Sequence, residues 1–335
     1  MHTHRGRVTS RRNFVVGAIA GLKAVVIAAV LFAVPSSAPA QKDAAAPGTA
    51  APATPTALPP GYVGADTCNA CHEDASQRFS HTRMGRRFLH QPRSQAERLG
   101  CESCHGPGQA HVDAGGGSPG KRNLITFGKK DPTPVEQRNE VCLTCHSTGD
   151  RVFWANSAHD ARNVPCTGCH RVMENVSPRH QLVRPTELET CGTCHVQKRA
   201  AQLRSAHMPV REGKMTCTSC HIPHGSLTQA LLKENSPNDN CYRCHAEKRG
   251  PFLWQHAPVI ESCMNCHDPH GSNHERMLTV AKPRLCQQCH VETQHPTSPY
   301  GRDSASLKFV LGRACVNCHI NIHGSNHPSG FAFTR

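Results

Sequence analysis

The stretch CMNCHDPHGSNH, from Cys263 to His274, places two cysteines and three histidines within twelve residues. Its first five residues fit the pattern C-x-x-C-H. A second histidine, His270, follows three residues after His267, and the third closes the stretch. Because the same five-residue pattern recurs along the chain, it determines what kind of fold this sequence can form.

Every cysteine of the 335-residue chain lies in such a motif. The 20 cysteines form ten C-x-x-C-H motifs, and none is left over. The pattern is the attachment signature of c-type haem, in which two thiols bond to one porphyrin and the adjacent histidine binds the iron. We therefore expect ten covalently bound c-type haems. The attachment cysteines are Cys68, Cys71, Cys101, Cys104, Cys142, Cys145, Cys166, Cys169, Cys191, Cys194, Cys217, Cys220, Cys241, Cys244, Cys263, Cys266, Cys286, Cys289, Cys315 and Cys318. The proximal iron ligands are His72, His105, His146, His170, His195, His221, His245, His267, His290 and His319.

Zinc ribbons, redox dithiols and disulfide frameworks are the other uses of paired cysteines. A zinc ribbon does not need a histidine directly after every second cysteine. A disulfide framework would not space twenty cysteines so regularly. Ten motifs out of ten with that histidine favour haem over these alternatives.

The region before the first motif indicates export. Residues 1–40 carry four arginines and no acidic residue, then an apolar stretch, and they end in Ala-Pro-Ala, as in a cleaved signal peptide. The stretch SRRNFVV, residues 10–16, also resembles a twin-arginine signal. The twin-arginine and the ordinary secretory routes both lead to the periplasm, and both stay open. Residues 41–61, rich in Ala and Pro, predict a disordered tether.

Large apolar side chains are scarce. The chain has only 15 aromatic residues, 10 Phe, 3 Tyr and 2 Trp, so it cannot build an ordinary core. The porphyrins must then form the apolar interior. Residues 62–335 are predicted to be a multihaem cytochrome c domain, mostly loops and short α-helices wrapped round a linear stack of ten haems, with almost no sheet. By the logic of metal-coupled folding, the chain without haem should be unfolded.

The motifs repeat in pairs. Each pair consists of a motif, a basic stretch, a lone histidine and a second motif, so the domain divides into five two-haem modules. The modules span residues 62–141, 142–190, 191–240, 241–285 and 286–335, to within a few residues.

The remaining histidines supply candidates for the second, distal iron ligand. His270 is too close to His267 to reach round the same porphyrin, so it should bind a neighbouring haem. Two positions recur, one in the middle of a module and one after its second motif. The mid-module candidates are His81, His159, His207, His256 and His295, and those after a second motif are His111, His224, His270 and His323.

The tenth distal ligand is irregular. After the motif that ends at His170, the position corresponding to His224 and His270 holds Met173. The next histidine, His180, lies ten residues after His170. We take His180 as the tenth candidate and Met173 as the alternative, since a methionine ligand would raise the potential of its haem.

The basic composition mainly balances haem. The formal net charge is +14, and cleavage of residues 1–40 would remove five basic residues and leave +9. The propionates of ten haems offset that charge. No nucleic-acid motif accompanies it, so a nucleic-acid partner is not expected.

Several stretches carry a family resemblance. HAEKRGPFLWQHAPV at His245–Val259, CQQCH at Cys286–His290 and HGSNHPSG at His323–Gly330, with ten paired motifs, resemble the MtrA-type decahaem cytochromes. The resemblance covers residues 64–330. It implies a periplasmic wire inserted into an outer-membrane β-barrel porin. Such a wire connects periplasmic or inner-membrane cytochromes with iron, another metal or an extracellular multihaem cytochrome. Met173, where family members can carry His, and the tether depart from the family.

Three functions compete: a conduit across the outer membrane, a soluble periplasmic electron shuttle, and a multihaem reductase. A reductase needs an iron with an open coordination site. Thirteen histidines besides the motif histidines lie in residues 41–335, more than the ten distal positions. We therefore expect an electron-transfer protein without substrate chemistry of its own, and the conduit is favoured over the shuttle.

Overall fold

The computed structural model describes residues 57–117, 124–128, 130–290 and 315–334. They belong to one unit, Ala57–Arg335. The predicted signal peptide, most of the predicted tether and the candidate ligand His295 lie outside the described residues.

Short helices joined by loops make up the described part of the chain, which contains no strand. The longest helix, Val135–Leu143, has nine residues. None of the described helices is long and apolar enough to span a bilayer. The predicted fold class, short helices and loops with almost no sheet, is confirmed. The α-helices are Ala65–Asn69, Glu73–Ser80, Arg83–Gly85, Gln95–Arg98, Glu102–His105, Gln109–Asp113, Val135–Leu143, Cys166–Cys169, Glu187–Cys191, Val196–Gln202, Met208–Arg211, Pro237–Tyr242, Ala257–Glu261 and Arg284–Gln287. A π-helical turn covers Arg86–His90, and 3₁₀ turns cover Gly149–Arg151, Asp160–Arg162, Cys217–Ser219, Gln229–Leu231, Ala246–Lys248, Cys263–Asn265, Glu275–Met277, Cys315–Asn317 and Gly330–Ala332.

Local capping explains where several of these helices begin. Thr186 accepts a hydrogen bond from the backbone N–H of Glu189, whose carboxylate accepts one from the N–H of Thr186, which is a capping box. Ser236 caps Pro237–Tyr242 by accepting from the N–H of Asp239. Both helices then run into the first cysteine of a motif, so capping positions the haem-attachment turn.

An apolar core is nearly absent from the described residues. Only four hydrophobic side chains are buried, those of Phe79, Trp154, Leu182 and Leu278. Leu182 and Leu278 lie at isolated antiparallel bridges opposite the motif histidines His170 and His267. The few buried apolar groups therefore sit beside the motifs, as expected if the porphyrins provide the interior.

Neighbouring modules approach closely at a recurring glycine. Gly271, directly after His270, has φ +118°, and a Cβ atom there would lie 2.3 Å from the carbonyl oxygen of Ala201. Gly225 and Gly324 follow His224 and His323 in the same way, with φ values of +116° and +134°. Only glycine allows this backbone conformation and this contact together.

Candidate haem-binding site

Each of the ten motifs folds into a single helical turn. In every motif the backbone N–H of the histidine donates to the carbonyl of the first cysteine, with N···O distances of 2.9 to 3.1 Å. Residues three and four apart project from the same side of a helix. The turn therefore presents two thiols and one imidazole together, as attachment of one haem requires.

The motif histidines of the second haem in each module share one further contact. Their Nδ1 atoms lie within hydrogen-bond distance of a backbone carbonyl in the loop that follows. A histidine that donates from Nδ1 leaves Nε2 free to bind a metal, and its ring orientation is fixed. The pairs are His105 with Ile125 (2.7 Å), His170 with His180 (2.8 Å), His221 with Ala230 (2.8 Å), His267 with Arg276 (2.8 Å) and His319 with Ala332 (2.5 Å).

Six imidazole pairs bring a motif histidine opposite a candidate distal histidine. A metal–imidazole bond is about 2 Å long, so two imidazoles on opposite faces of one metal have ring centres roughly 6 Å apart. The observed separations are 6.0 to 6.3 Å, too long for direct stacking and suited to one metal in between. The pairs are His72–His111, His159–His195, His170–His224, His221–His270, His256–His290 and His267–His323.

The mid-module histidines reach forward along the chain. His159 of the second module faces His195, the first motif histidine of the third module, with ring centres 6.2 Å apart. His256 of the fourth module faces His290 in the fifth at 6.1 Å. Each mid-module histidine in these pairs therefore contributes to the following module.

The histidines after a second motif reach backward. His224 faces His170 of the preceding module, and His270 faces His221, each with ring centres 6.0 Å apart. The structure thus brings His270 to a motif other than that of His267. The exception is His111, which faces His72 of its own, first module.

The mid-module histidines are oriented by backbone carbonyls of another kind, which belong to a neighbouring module. Each of three Nδ1 atoms lies close to the backbone oxygen of the residue directly before a backward-reaching histidine. The pairs are His159 with Pro223 (2.7 Å), His207 with Pro269 (2.9 Å) and His256 with Ile322 (3.1 Å).

Burial keeps the backward-reaching imidazoles neutral. Desolvation is the main cause that lowers the pKa of His224 to about 4, and it also lowers the pKa of His270 and His323. An imidazole must be unprotonated to bind a metal. These side chains are therefore in the protonation state that axial ligation needs.

Within each module, the first cysteines of the two motifs interact. The Cys68 thiol, by hydrogen bonding, lowers the pKa of Cys101 to about 7, while its own pKa is raised. Such mutual effects place the two attachment turns side by side. The corresponding pairs are Cys142–Cys166, Cys191–Cys217, Cys241–Cys263 and Cys286–Cys315.

Between modules, the second cysteines interact instead. Burial, followed by the charges of Cys142 and Cys145, raises the pKa of Cys104 to about 11. The same kind of electrostatic interaction recurs at the three other module boundaries, and together the two kinds of interaction follow the order of the motifs along the chain. The other boundary pairs are Cys169–Cys194, Cys220–Cys244 and Cys266–Cys289.

These residues fit haem. Paired thiols, an imidazole in the same turn, a second imidazole at one-metal distance and a nearly empty apolar core are what haem attachment and burial need. No group of three or more Cys, His, Asp or Glu side chains within the described ranges is arranged to hold a bare metal ion.

Some predicted ligands have no imidazole opposite them in the described part of the chain. Among the motif histidines these are His105, His146 and His245; among the distal candidates they are His81, His180 and His207. Met173, the alternative ligand, has 38% of its surface exposed.

A set of polar side chains, which was not predicted from the sequence, hydrogen-bonds from one motif of a module to the backbone of the other. We call these side chains polar clamps. Asn238 accepts a hydrogen bond from the N–H of Cys263 at 2.7 Å and donates to the carbonyls of Val259 and Ile260. Asn139 holds Cys166 in the same way, and Glu187 accepts from the N–H of Thr218. The available signal was a polar residue three or four positions before the first cysteine of a module.

The geometry and the motifs define a multihaem c-type cytochrome. Family models agree: the Doubled CXXCH motif model matches residues 207–250 and 256–295, and the NrfB-like cytochrome c-type protein model matches residues 101–194. The chain is 43% identical over 273 residues to Multiheme cytochrome MtrA of Shewanella baltica (strain OS185), covering 80% of each protein. It is also 30% identical over 108 residues to Cytochrome c-type protein NrfB of Haemophilus influenzae, which covers 30% of this chain and 47% of that protein.

The chain belongs to the MtrA-type multihaem c-type cytochromes. It is therefore an electron-transfer protein with covalently bound c-type haems.

Proposed function

We propose that the chain carries ten haems. The six imidazole pairs are the axial ligands of six of them. His159 and His256 face the first motif of the following module. By the same pattern, His207 is the proposed ligand at the motif of His245, and His81 is the proposed ligand at the motif of His146. His295 remains the expected distal ligand in the last module. The haem, once bound, supplies an iron that exchanges one electron.

Ligation on both faces argues against substrate chemistry. In each pair the chain holds the iron position between two imidazoles, and hydrogen bonds fix the orientation of rings such as His170 and His221. An iron held in this way has no open coordination site for a substrate. Electron transfer is the function that this ligand geometry favours over a reductase.

The order of the imidazole pairs along the chain carries the proposal, since five of the six pairs join neighbouring modules. The cysteines agree with this order, because the pKa of a first cysteine is shifted by the other first cysteine of its module, and the pKa of a second cysteine by a cysteine of the next module. We infer one unbranched electron route from the first motif to the tenth. A route of this kind suits transport over a distance.

We further propose that the route crosses the outer membrane inside a β-barrel porin. The support is membership of the MtrA-type family together with the ordered array. In this proposal the protein is exported to the periplasm, takes up or delivers electrons there through periplasmic or inner-membrane cytochromes, and exchanges them outside with a metal or an extracellular multihaem cytochrome. A soluble periplasmic shuttle is the competing function.

Reconstitution in liposomes tests the conduit. The holoprotein, co-purified with its barrel partner, is inserted into vesicles loaded with a reducible dye, and a membrane-impermeant reductant is added outside. We expect dye reduction only when both proteins are present. Equal rates with the cytochrome alone, or failure to co-purify with any barrel, would support the shuttle. Pyridine haemochrome analysis should give ten haems per chain, and eight or fewer would contradict the array itself.

A further inference from the structure

We propose that Met173, and not His180, is the second axial ligand of the haem on Cys101 and Cys104. The inference rests on the ligand pattern proposed above. It makes one haem of the array histidine–methionine ligated and leaves its neighbours with two histidines.

Three loops after second motifs are built on one plan. Isolated bridges close them, pairing His170 with Leu182, His221 with Leu232, and His267 with Leu278. In each loop the motif histidine lies 2.8 Å from one backbone carbonyl of the same loop. The first loop is one residue longer than the other two, but its turn at residues 172–173 matches the turns at 223–224 and 269–270, so these positions can be compared.

His180 contributes its backbone carbonyl to this loop. Its carbonyl is the acceptor for His170, as those of Ala230 and Arg276 are for their motif histidines. The three residues share a left-handed conformation, with φ of +59°, +58° and +56°. Alanine and arginine serve equally well here, so the position requires a carbonyl and not a ligand side chain.

Met173 occupies the ligand position. It lies three residues after its motif histidine, as His224 and His270 do. Those two histidines face the second motif of the preceding module. For Met173, the second motif of the preceding module is the one that ends at His105.

Two contacts made by the residues directly after Met173 direct the loop to the first module. The carboxylate of Glu174, next to Met173, lies 3.9 Å from the guanidinium of Arg78. Asn175 donates a hydrogen bond of 2.9 Å to the carbonyl of His81. In the later loops the contact with the preceding module is made instead by the residue before the ligand, whose backbone carbonyl faces a mid-module histidine. The loop thus brings Met173 to the module that contains His105.

Among the described residues, His105 has no imidazole partner. Its ring meets Phe127 edge-on at 5.5 Å, and no histidine of the described residues lies opposite it. A thioether is an established haem ligand, and a Met/His pair raises the reduction potential relative to two histidines. The haem on Cys101 and Cys104 would then have the highest reduction potential of the route, and electrons would reside there preferentially.

The test is spectroscopic and uses the complete holoprotein. Ferric histidine–methionine haem shows a weak far-red thioether-to-iron charge-transfer band, which bis-histidine haem lacks. We expect this band at the intensity of one haem in ten. Met173→His should abolish the band, keep all ten haems low-spin and lower the highest potential of the redox titration. Met173→Leu should abolish it and turn one tenth of the iron high-spin.

Matched variants separate the alternatives. His180→Ala should keep the band, and so should Met264→Leu, which alters another methionine with half of its surface exposed. Absence of the band from the wild type, or a high-spin haem in His180→Ala with none in Met173→Leu, would overturn the proposal. Either result would leave the haem count and liposome transport unchanged, so the two proposals can fail separately.

Discussion

The Nδ1 atom of His159 lies 2.7 Å from the carbonyl oxygen of Pro223, the residue directly before His224. His159 faces His195, and His224 faces His170. One hydrogen bond therefore connects two successive imidazole pairs across a module boundary, and these pairs are the proposed ligands of two successive haems. The same link occurs at His207–Pro269 and His256–Ile322. On the proposed ligation, the imidazole on one side of a boundary positions the ligand on the other side.

Replacing His159 should alter two haems. His159→Ala removes the imidazole opposite His195 and also frees the peptide that orients His224. We expect one high-spin haem and one low-spin haem with a shifted electron paramagnetic resonance signal.

The matched control is His111→Ala. The Nδ1 atom of His111 is buried and has no hydrogen-bond partner among the described residues, so only the haem of His72 should change. If both variants altered a single haem, the boundary link would have no role in orienting ligands.

Gly271→Ala should destabilise the contact between the third and fourth modules. A Cβ atom would lie 2.3 Å from the Ala201 carbonyl, at a φ of +118° that side chains avoid. We expect a loss of about 2–4 kcal/mol in the free energy of unfolding, measured by guanidinium denaturation of the holoprotein.

Gly128→Ala is the control for this substitution. No atom lies within 4 Å of a Cβ at Gly128, so its stability should change by less than about 0.5 kcal/mol. Equal effects of the two substitutions would show that the close approach at Gly271 is unimportant.

Asn238→Ala should loosen the attachment turn of the eighth haem. The side chain is 8% exposed and makes three hydrogen bonds, one of them to the N–H of Cys263. Leaving buried backbone groups unsatisfied costs about 1–3 kcal/mol. Hydrogen exchange of residues 263–267, followed by mass spectrometry, should therefore accelerate by roughly 5–150-fold.

Asn273→Ala provides the comparison for Asn238. Asn273 is exposed and accepts a hydrogen bond from Arg204, so exchange at residues 263–267 should stay the same. Unchanged exchange in Asn238→Ala as well would rule out the clamp.

The chain without haem should lack a folded state. Four buried apolar side chains among the described residues cannot offset the conformational entropy of a domain this size. Far-UV circular dichroism of protein produced without haem attachment should show no cooperative thermal transition, whereas the holoprotein should show one. A cooperative transition in the haem-free chain would mean that the polypeptide has a core of its own.

Much of the fold follows from local sequence. The motifs impose single helical turns, scarce aromatics exclude a large core, and capping residues such as Ser236 set helix starts. The clamps could not be predicted with confidence. Asn238 resembles any polar residue in a first helical turn until its partners across the module are known.

The site was predictable in residue type but not in pairing. The spacing between His267 and His270 excludes one shared iron, yet it does not name the partner. His221 is 49 positions before His270, and only folding brings such residues together. The role of His180 was equally hidden, because its contribution to the loop is a carbonyl, which every residue possesses.

Mid-module histidines face the following module, and histidines after a second motif face the preceding module. This arrangement has an evolutionary consequence. In the ligation proposed above, an internal module supplies one ligand to the following module and one to the preceding module, and it receives one from each. If residues 191–240 were lost, His159 would meet the motif of His245, and His270 would meet that of His170. Internal modules can therefore be duplicated or deleted without leaving any iron short of a ligand. On that ligation, gene duplication can lengthen or shorten such an array in two-haem steps.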